Sequence, residues 1–284
     1  MDLTPEKSGW DDIPLELAEP GHRAAIARAP FLVPHSSATY GVISDMDDTV
    51  LQSEVTNFIR AARMVLLENA HTRLPFAGVA AFYRALEQGP SGNAGNPIFY
   101  VSSSPWNLYD VIVDFLQAQA IPIGPILLRD WDLGPSLLRN KDHKSHLINE
   151  ILVTFSSMRF ILIGDTSQED PEIYTEIVAA HPGRILAVYI RNVSPHPERS
   201  AAVQQLAARV AQVGSSLVLA DDTLTAASHA AAHGWIRRET LPGIRQEKQA
   251  DEGAGAKEAA PGIELTEPTP TLVVDRDVDA ARLE

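Results

Sequence analysis

From Tyr40 onward, short apolar runs rich in β-branched residues alternate with longer segments of helical period, and few architectures tolerate that pattern. The runs fall at 41–44, 98–101, 126–128, 160–163, 185–190 and 217–219, each bounded by turn or polar residues. A parallel strand covered by helices on both faces has no solvent side, so it reads as an unbroken apolar run. Such strands separated by helical stretches predict repeated βαβ units. The expected fold is α/β, a Rossmann-like doubly wound, mostly parallel sheet. Residues 51–97 are largely helical in pattern and form either a small helical cap or simply the crossover.

Start and stop signals place some of the helices. Asp170 before Pro171 pairs a capping carboxylate with a first-turn proline, which predicts a helix running to about Ala180, ahead of Pro182 and Gly183. Asp221 or Asp222 opens another, closed by Gly234. Residues 1–35 carry Pro5, Pro14, Pro20, Pro30 and Pro34 and predict an irregular N-terminal lead-in. A single catalytic domain is expected over 36–238. Beyond it, 239–284 loses periodicity and gains Gly, Pro, Ala and acid, which predicts an acidic disordered tail.

The net charge of −14 excludes a nucleic-acid binder that works by neutralising phosphates. Cysteine is absent, so neither a disulfide framework nor a thiolate metal site is open to the chain. No basic, apolar leader opens the sequence and no apolar run reaches the roughly 18 residues of a membrane span, so a cytoplasmic protein is expected.

Chemistry concentrates directly after the first strand, in Asp45-Met46-Asp47-Asp48-Thr49. That place is the carboxyl edge of the sheet, where open α/β folds bind their ligands. The pattern Asp-x-Asp-x-Thr/Val alone is weak, since a match arises by chance in a chain of this size on the order of one time in ten. Its company carries more weight. Ser102 ends the second predicted strand, Lys144 begins a helical segment, and Gly164-Asp165 follows the fourth strand, with Asp170 close behind.

Together these residue types suit phosphoryl transfer. A carboxylate approaching a phosphate meets like charge, roughly 4 kcal/mol for two unit charges about 4 Å apart at an effective dielectric of 20. The Lys144 ammonium and a Mg²⁺ on hard oxygen ligands can cancel it. Asp45 and Asp165 are the expected metal ligands, with a backbone carbonyl near Asp47, and Asp170 as a direct or supporting one. Asp45 is the expected nucleophile. Asp47 would protonate the leaving alkoxide and then deprotonate the water that hydrolyses the aspartyl-phosphate. Ser102, Lys144 and Thr49 are the expected phosphate contacts.

Plainer readings compete. Asp170 is already accounted for as a helix cap, Ser104-Pro105 resembles a cap with an N1 proline, and Lys141 competes with Lys144. Asp48 suits a turn. His229 and His233 share the i, i+4 spacing of a zinc site but lack the motif's glutamate and a third ligand. His143 and His146 can simply solvate a helix start, Trp106 and Tyr109 can be core or a substrate platform, and Arg129 is a further candidate phosphate contact.

The blocks 43–50, 99–109, His143-Lys144 and 160–174 resemble the App1 phosphatidate phosphatase catalytic domain, over about residues 30–235. The resemblance implies a haloacid-dehalogenase fold, Mg²⁺ dependence, and phosphatidate or a related lipid phosphate as substrate. It also implies Asp45 as nucleophile, Asp47 as acid and base, and Asp165 as metal ligand. Thr166-Ser167 stands where the family pattern has Ser-Gly. An anionic chain is repelled by an anionic lipid surface, so a soluble phosphomonoester stays open beside the lipid, as does a non-catalytic phosphoryl-binding scaffold. Peripheral membrane contact is expected if the lipid is the substrate, with Trp106, Trp131, Leu133, Leu137 and Leu138 as the apolar candidates.

Overall fold

The computed structural model describes residues 8–17, 25–46, 77–129, 140–166, 169–194 and 196–258. Two strands come first, β1 (Gly9–Leu17) and β2 (Ala25–Val33). The main sheet is built from β3 (Gly41–Asp45), β4 (Ile98–Pro105), β5 (Ile126–Arg129), β6 (Phe160–Asp165), β7 (Ile185–Arg191) and β8 (Ser216–Ala220). Between and after them lie α1 (Val79–Gln88), α2 (Tyr109–Ala118), α3 (Asn140–Thr154), α4 (Asp170–Ala180), α5 (Pro197–Gln212), α6 (Thr223–Ala232) and α7 (Leu241–Glu258). All six apolar runs singled out in the sequence are strands of this one sheet.

The sheet order is β5-β4-β3-β6-β7-β8 and every pairing is parallel. Alternation along the strands divides the core in two. Val42, Ile98, Tyr100, Ile161, Ala187 and Tyr189 face α1, α2, α6 and α7. Ile43, Phe99, Val101, Phe160, Leu162, Val188 and Ile190 face α3, α4 and α5. Helices therefore cover both faces, and the doubly wound expectation holds. The chain leaves β3 toward β4 on one side and returns to lay β6 on the other, so the strand order reverses between β3 and β6. At such a reversal the loops part and leave a crevice beyond the strand ends.

Three expectations need correction. Residues 9–17 and 25–33 are an antiparallel ribbon, in register Gly9↔Val33 to Leu17↔Ala25, where an irregular lead-in was expected. Pro14 and Pro30 are tolerated because each strand of a two-stranded ribbon keeps an open edge that needs no N–H. Residues 241–258 of the expected disordered tail form α7, while 259–284 lie outside the described residues. α7 is held through polar groups as well as apolar ones. Asp251 accepts the Gly78 N–H at 2.7 Å, Glu247 accepts the Ala81 N–H at 2.7 Å and pairs with Arg84 at 2.5 Å, and Ile244 is buried. α1 has no side-chain cap and no acid of its own in its first turn, so α7 supplies both. Finally, β4 continues through Ser102 to Pro105, and a 3₁₀ turn at Trp106–Leu108 leads into α2. Ser104 is thus a strand residue, and the N-cap positions of the 3₁₀ turn and of α2 are Pro105 and Leu108. The candidate cap within 51–97 falls largely on 47–76, outside the described residues.

Candidate active site

Asp45 is the last residue of β3 and Asp165 the last of β6, on the two strands that flank the reversal. The pairing runs from Gly41↔Phe160 to Ser44↔Ile163, so Asp45 lies one residue and Asp165 two residues beyond the last register pair. Alternation places Asp45 on the Ile43 side of the sheet, toward α3. From the second turn of α3, Lys144 reaches back to it.

The centre is a buried ion cluster. Lys144 Nζ lies 2.8 Å from Asp45 Oδ1 and 2.5 Å from Asp170 Oδ1. The exposures of these side chains are 2% for Lys144, 3% for Asp45 and 0% for Asp170. Burial disfavours the Lys144 ammonium, but the charges of Asp45 and Asp170 and the hydrogen bonds to both more than offset it, so its pKa stays above that of an ordinary lysine. Burial holds the Asp170 carboxyl above the ordinary carboxylate range, and the Lys144 ammonium offsets only part of that rise. The Lys141 side chain, the competing candidate, is not among those described.

Asp170 does not act as the helix cap expected of it. The N-cap position is Glu169, which makes no side-chain cap bond, and Asp170 is the first residue of α4. Its second oxygen, Oδ2, accepts the Asp165 N–H at 3.3 Å. Gly164 makes this possible: a Cβ there would lie 2.3 Å from Asp170 Oδ2, so the carboxylate occupies the space of the missing methyl. Lys144, Asp45, Asp170 and the Asp165 backbone thereby form one connected unit.

Further bonds fix the rim. Thr166, also buried, accepts the N–H groups of Val193 and Ser194 at 3.0 and 2.9 Å, tying the end of β6 to the loop after β7. Arg199 donates to the Thr166 carbonyl at 3.2 Å and forms a two-pronged pair with Glu172. Ser102, 2% exposed on β4 beside β3, accepts the Ser104 N–H at 2.9 Å. Asp47, Asp48 and Thr49 lie outside the described residues.

The donor chemistry fits Mg²⁺. The carboxylates of Asp45 and Asp165 are hard oxygen ligands on neighbouring strand ends, and Mg²⁺ is ordinarily bound by one or two carboxylates while keeping waters. Among the described residues, the carboxylates of Asp45, Asp165 and Asp170 outnumber the cations of Lys144 and Arg191 at this edge, so a divalent cation also answers its charge. Among the described residues no group of three acidic or histidine side chains closes on a common point. Asp170 is committed to Lys144 and to the Asp165 N–H.

Other candidates stand apart. The rings of His229 and His233 lie tilted with centroids 4.1 Å apart, His229 shares a hydrogen bond with the Tyr189 hydroxyl at 3.1 Å, and Trp235 stacks on His233. That is an aromatic cluster on α6. His146 pairs with Glu150 on the surface of α3. Trp106, 51% exposed, stacks on Tyr109 beyond the end of β4, at the same edge of the sheet as Asp45. Arg129 ends β5, and Trp131, Leu133, Leu137 and Leu138 lie outside the described residues. No described helix is long and apolar enough to cross a membrane.

Sequence reasoning missed Ser44, Tyr83 and Arg191. Arg191 closes β7 and is the register partner of Asp165, so it brings a cation to the same edge. Ser44 had a visible signal, since it is a polar residue that follows the apolar Val42-Ile43 inside the strand, just before Asp45. Tyr83, on α1, could be linked to it only through the tertiary fold.

A family model described as the catalytic domain of phosphatidate phosphatase APP1 matches residues 40–192. The Phosphatidate phosphatase APP1 of Saccharomyces cerevisiae is 31% identical over 187 residues, covering 63% of this chain and 30% of that protein. An uncharacterized protein of Schizosaccharomyces pombe is 31% identical over 160 residues, covering 54% of this chain and 25% of that protein. Both matches thus take in only a minor part of the relatives' length.

Proposed function

The chain belongs to the family of the phosphatidate phosphatase APP1 catalytic domain, and we propose on that premise that it is a Mg²⁺-dependent phosphatase acting on phosphatidate or a related lipid phosphate. The observation that carries the reading is the fully buried Lys144, bound to both Asp45 and Asp170 beside the strand-order reversal. A cation buried at that depth masks the charge of a carboxylate that must approach an anion.

In the reaction, a carboxylate oxygen of Asp45 attacks phosphorus in line with the ester oxygen. The phosphorus–ester bond breaks, the leaving alkoxide takes a proton from Asp47, and the phosphoryl group stays on Asp45 as an aspartyl-phosphate. Asp47, now a carboxylate, removes a proton from water, whose oxygen attacks the same phosphorus and frees inorganic phosphate and Asp45. Lys144 holds Asp45 in orientation and balances its charge. Asp170 holds Lys144, and Ser102 and Thr49 are the hydroxyl contacts to the phosphate. Mg²⁺, held by Asp45, Asp165 and a carbonyl near Asp47, supplies charge neutralisation when bound. The scheme is that of the haloacid-dehalogenase phosphatases, which the sheet order and the strand-end aspartates support.

The lipid reading is supported by the named activity of the yeast relative and by the exposed Trp106, stacked on the half-buried Tyr109, on the catalytic edge. The net charge of −14 favours a second reading, a soluble phosphomonoester, because an anionic protein is repelled by an anionic lipid surface. A substrate panel decides between them. Purified protein with Mg²⁺ is offered dispersed phosphatidate, sugar phosphates, nucleotides and an aryl phosphate, with and without EDTA. Release of phosphate that EDTA abolishes is expected, with phosphatidate preferred, and Asp45→Asn should lower the rate at least about 100-fold. Activity indifferent to both EDTA and Asp45→Asn would refute the mechanism, and preference for a soluble member would refute the lipid.

A further inference from the structure

Ser44 sits one residue before the nucleophile, on the opposite side of the strand from it. Alternation along β3 turns Val42 and Ser44 toward α1 and leaves Ile43 and Asp45 toward α3. At its register position Ser44 is flanked by Tyr100 on β4 and Ile163 on β6, and it is 1% exposed. An apolar side chain would fill that place without a polar atom to satisfy. The hydroxyl instead donates to the Asp45 carbonyl at 2.9 Å. Its one proton is thereby committed, so the Tyr83 hydroxyl, 2.7 Å away, is the donor in the second bond. Burial pushes the Tyr83 phenol up to about 12, and the phenol keeps the proton this role needs.

The peptide that receives this relay is the one between Asp45 and Met46. Its carbonyl accepts from Ser44, and its N–H, carried by Met46, donates to Val101 O on β4 at 3.1 Å. It is gripped from the sheet on one side and from α1 on the other. α1 is itself anchored by Glu247 and Asp251 of α7. The Asp45 backbone therefore has a support on the α1 face that is separate from the Lys144 contact to its side chain on the α3 face.

We propose that Tyr83 and Ser44 are positioning residues, a two-hydroxyl relay that sets the orientation of the Asp45–Met46 peptide and through it the direction in which the Asp45 carboxylate meets its target. The proposal builds on the phosphatase reading, because orientation matters for rate only if Asp45 is the attacking group. A nucleophile must be held close to its attack geometry, and small misplacements lower the turnover rate without preventing substrate from binding. A relay also acts as a unit, so losing either hydroxyl disables the whole of it.

The test compares Tyr83→Phe, Ser44→Ala, the double variant and Ser44→Thr in the full chain, with phosphate release and amide hydrogen exchange as readouts. Tyr83→Phe and Ser44→Ala should each lower kcat about tenfold, the lower scale for losing a group that supports a site, with KM changed less than about twofold. The double variant should fall about tenfold as well, not about a hundredfold, and Ser44→Thr, which restores a hydroxyl on a strand-compatible residue, should recover most of the rate. The Met46 amide should exchange at least about fivefold faster in both single variants. An unchanged kcat, multiplied losses in the double variant, or unaltered Met46 exchange would overturn the relay. If the unsubstituted protein releases phosphate from no substrate, the phosphatase reading fails, while Met46 exchange still decides whether the hydroxyls hold the peptide.

Discussion

Lys144 is the residue on which the candidate site depends most, because two buried carboxylates share its one charge. Removing it leaves both carboxylates in a dry environment with their counter-ion gone. Lys144→Met should therefore destabilise the protein by about 3–5 kcal/mol, the usual cost of orphaning a buried charge, measurable by urea unfolding. Lys144→Met combined with Asp170→Leu should regain part of that stability and none of the activity. The pH dependence has a definite sign. The folded-state pKa of Lys144 is raised above its ordinary 10.5, so its contribution is complete below that value and is lost only as pH rises through the higher folded value. Unfolding midpoints between pH 7 and 10 should show no loss traceable to this group. Gly164→Ala should cost roughly 1–3 kcal/mol and lower activity, since a Cβ 2.3 Å from Asp170 Oδ2 must push that carboxylate off Lys144. Wild-type activity in this variant would show that Asp170 can move without consequence. Lys144 and Asp165 were legible as types at promising places. Lys144 was preferred to Lys141 from the sequence, but its contact with both Asp45 and Asp170 was not legible, because it depends on how α3 is rotated against the sheet.

At the scale of elements, strands buried on both sides were the easiest to read. Their apolar runs need no partner to be recognised, and each became a strand of the main sheet. The elements misread were those whose stability comes from contacts distant in sequence. β1 and β2 carry prolines and charges that suggest a loop, and only their mutual pairing makes them strands. α7 includes Pro242, Gly243, Gly253 and Gly255, a weak helical composition. Its place is secured by carboxylates that cap α1 and by buried Ile244. Glu247→Ala and Asp251→Ala should each cost about 1 kcal/mol, as lost helix caps do, lowering the melting temperature by about 2–4 °C. Thermal unfolding followed by circular dichroism checks this, and an unchanged midpoint in both would mean that α7 contributes nothing to α1.

For the molecule as a whole, charge sets the relation to the proposed substrate. An anionic protein approaching anionic vesicles is hindered over a Debye length of about 10 Å at 0.1 M salt. Raising salt from about 0.02 to 0.2 M should therefore lower the apparent KM for vesicle phosphatidate and leave KM for a soluble phosphomonoester less affected. A KM that rises with salt on vesicles would point to a basic docking face. By itself the sequence determined the α/β class, the six strands of the main sheet and the residue types at the carboxyl edge. Those follow from local periodicity and from which residues directly succeed an apolar run. The tertiary structure decided the strand order that sets Asp45 beside Asp165, the turning of Asp170 from a cap to a partner of Lys144, and the hydroxyl pair behind Asp45. Each joins groups far apart along the chain, and their meeting depends on how helices lie across the sheet, which no short stretch of sequence specifies.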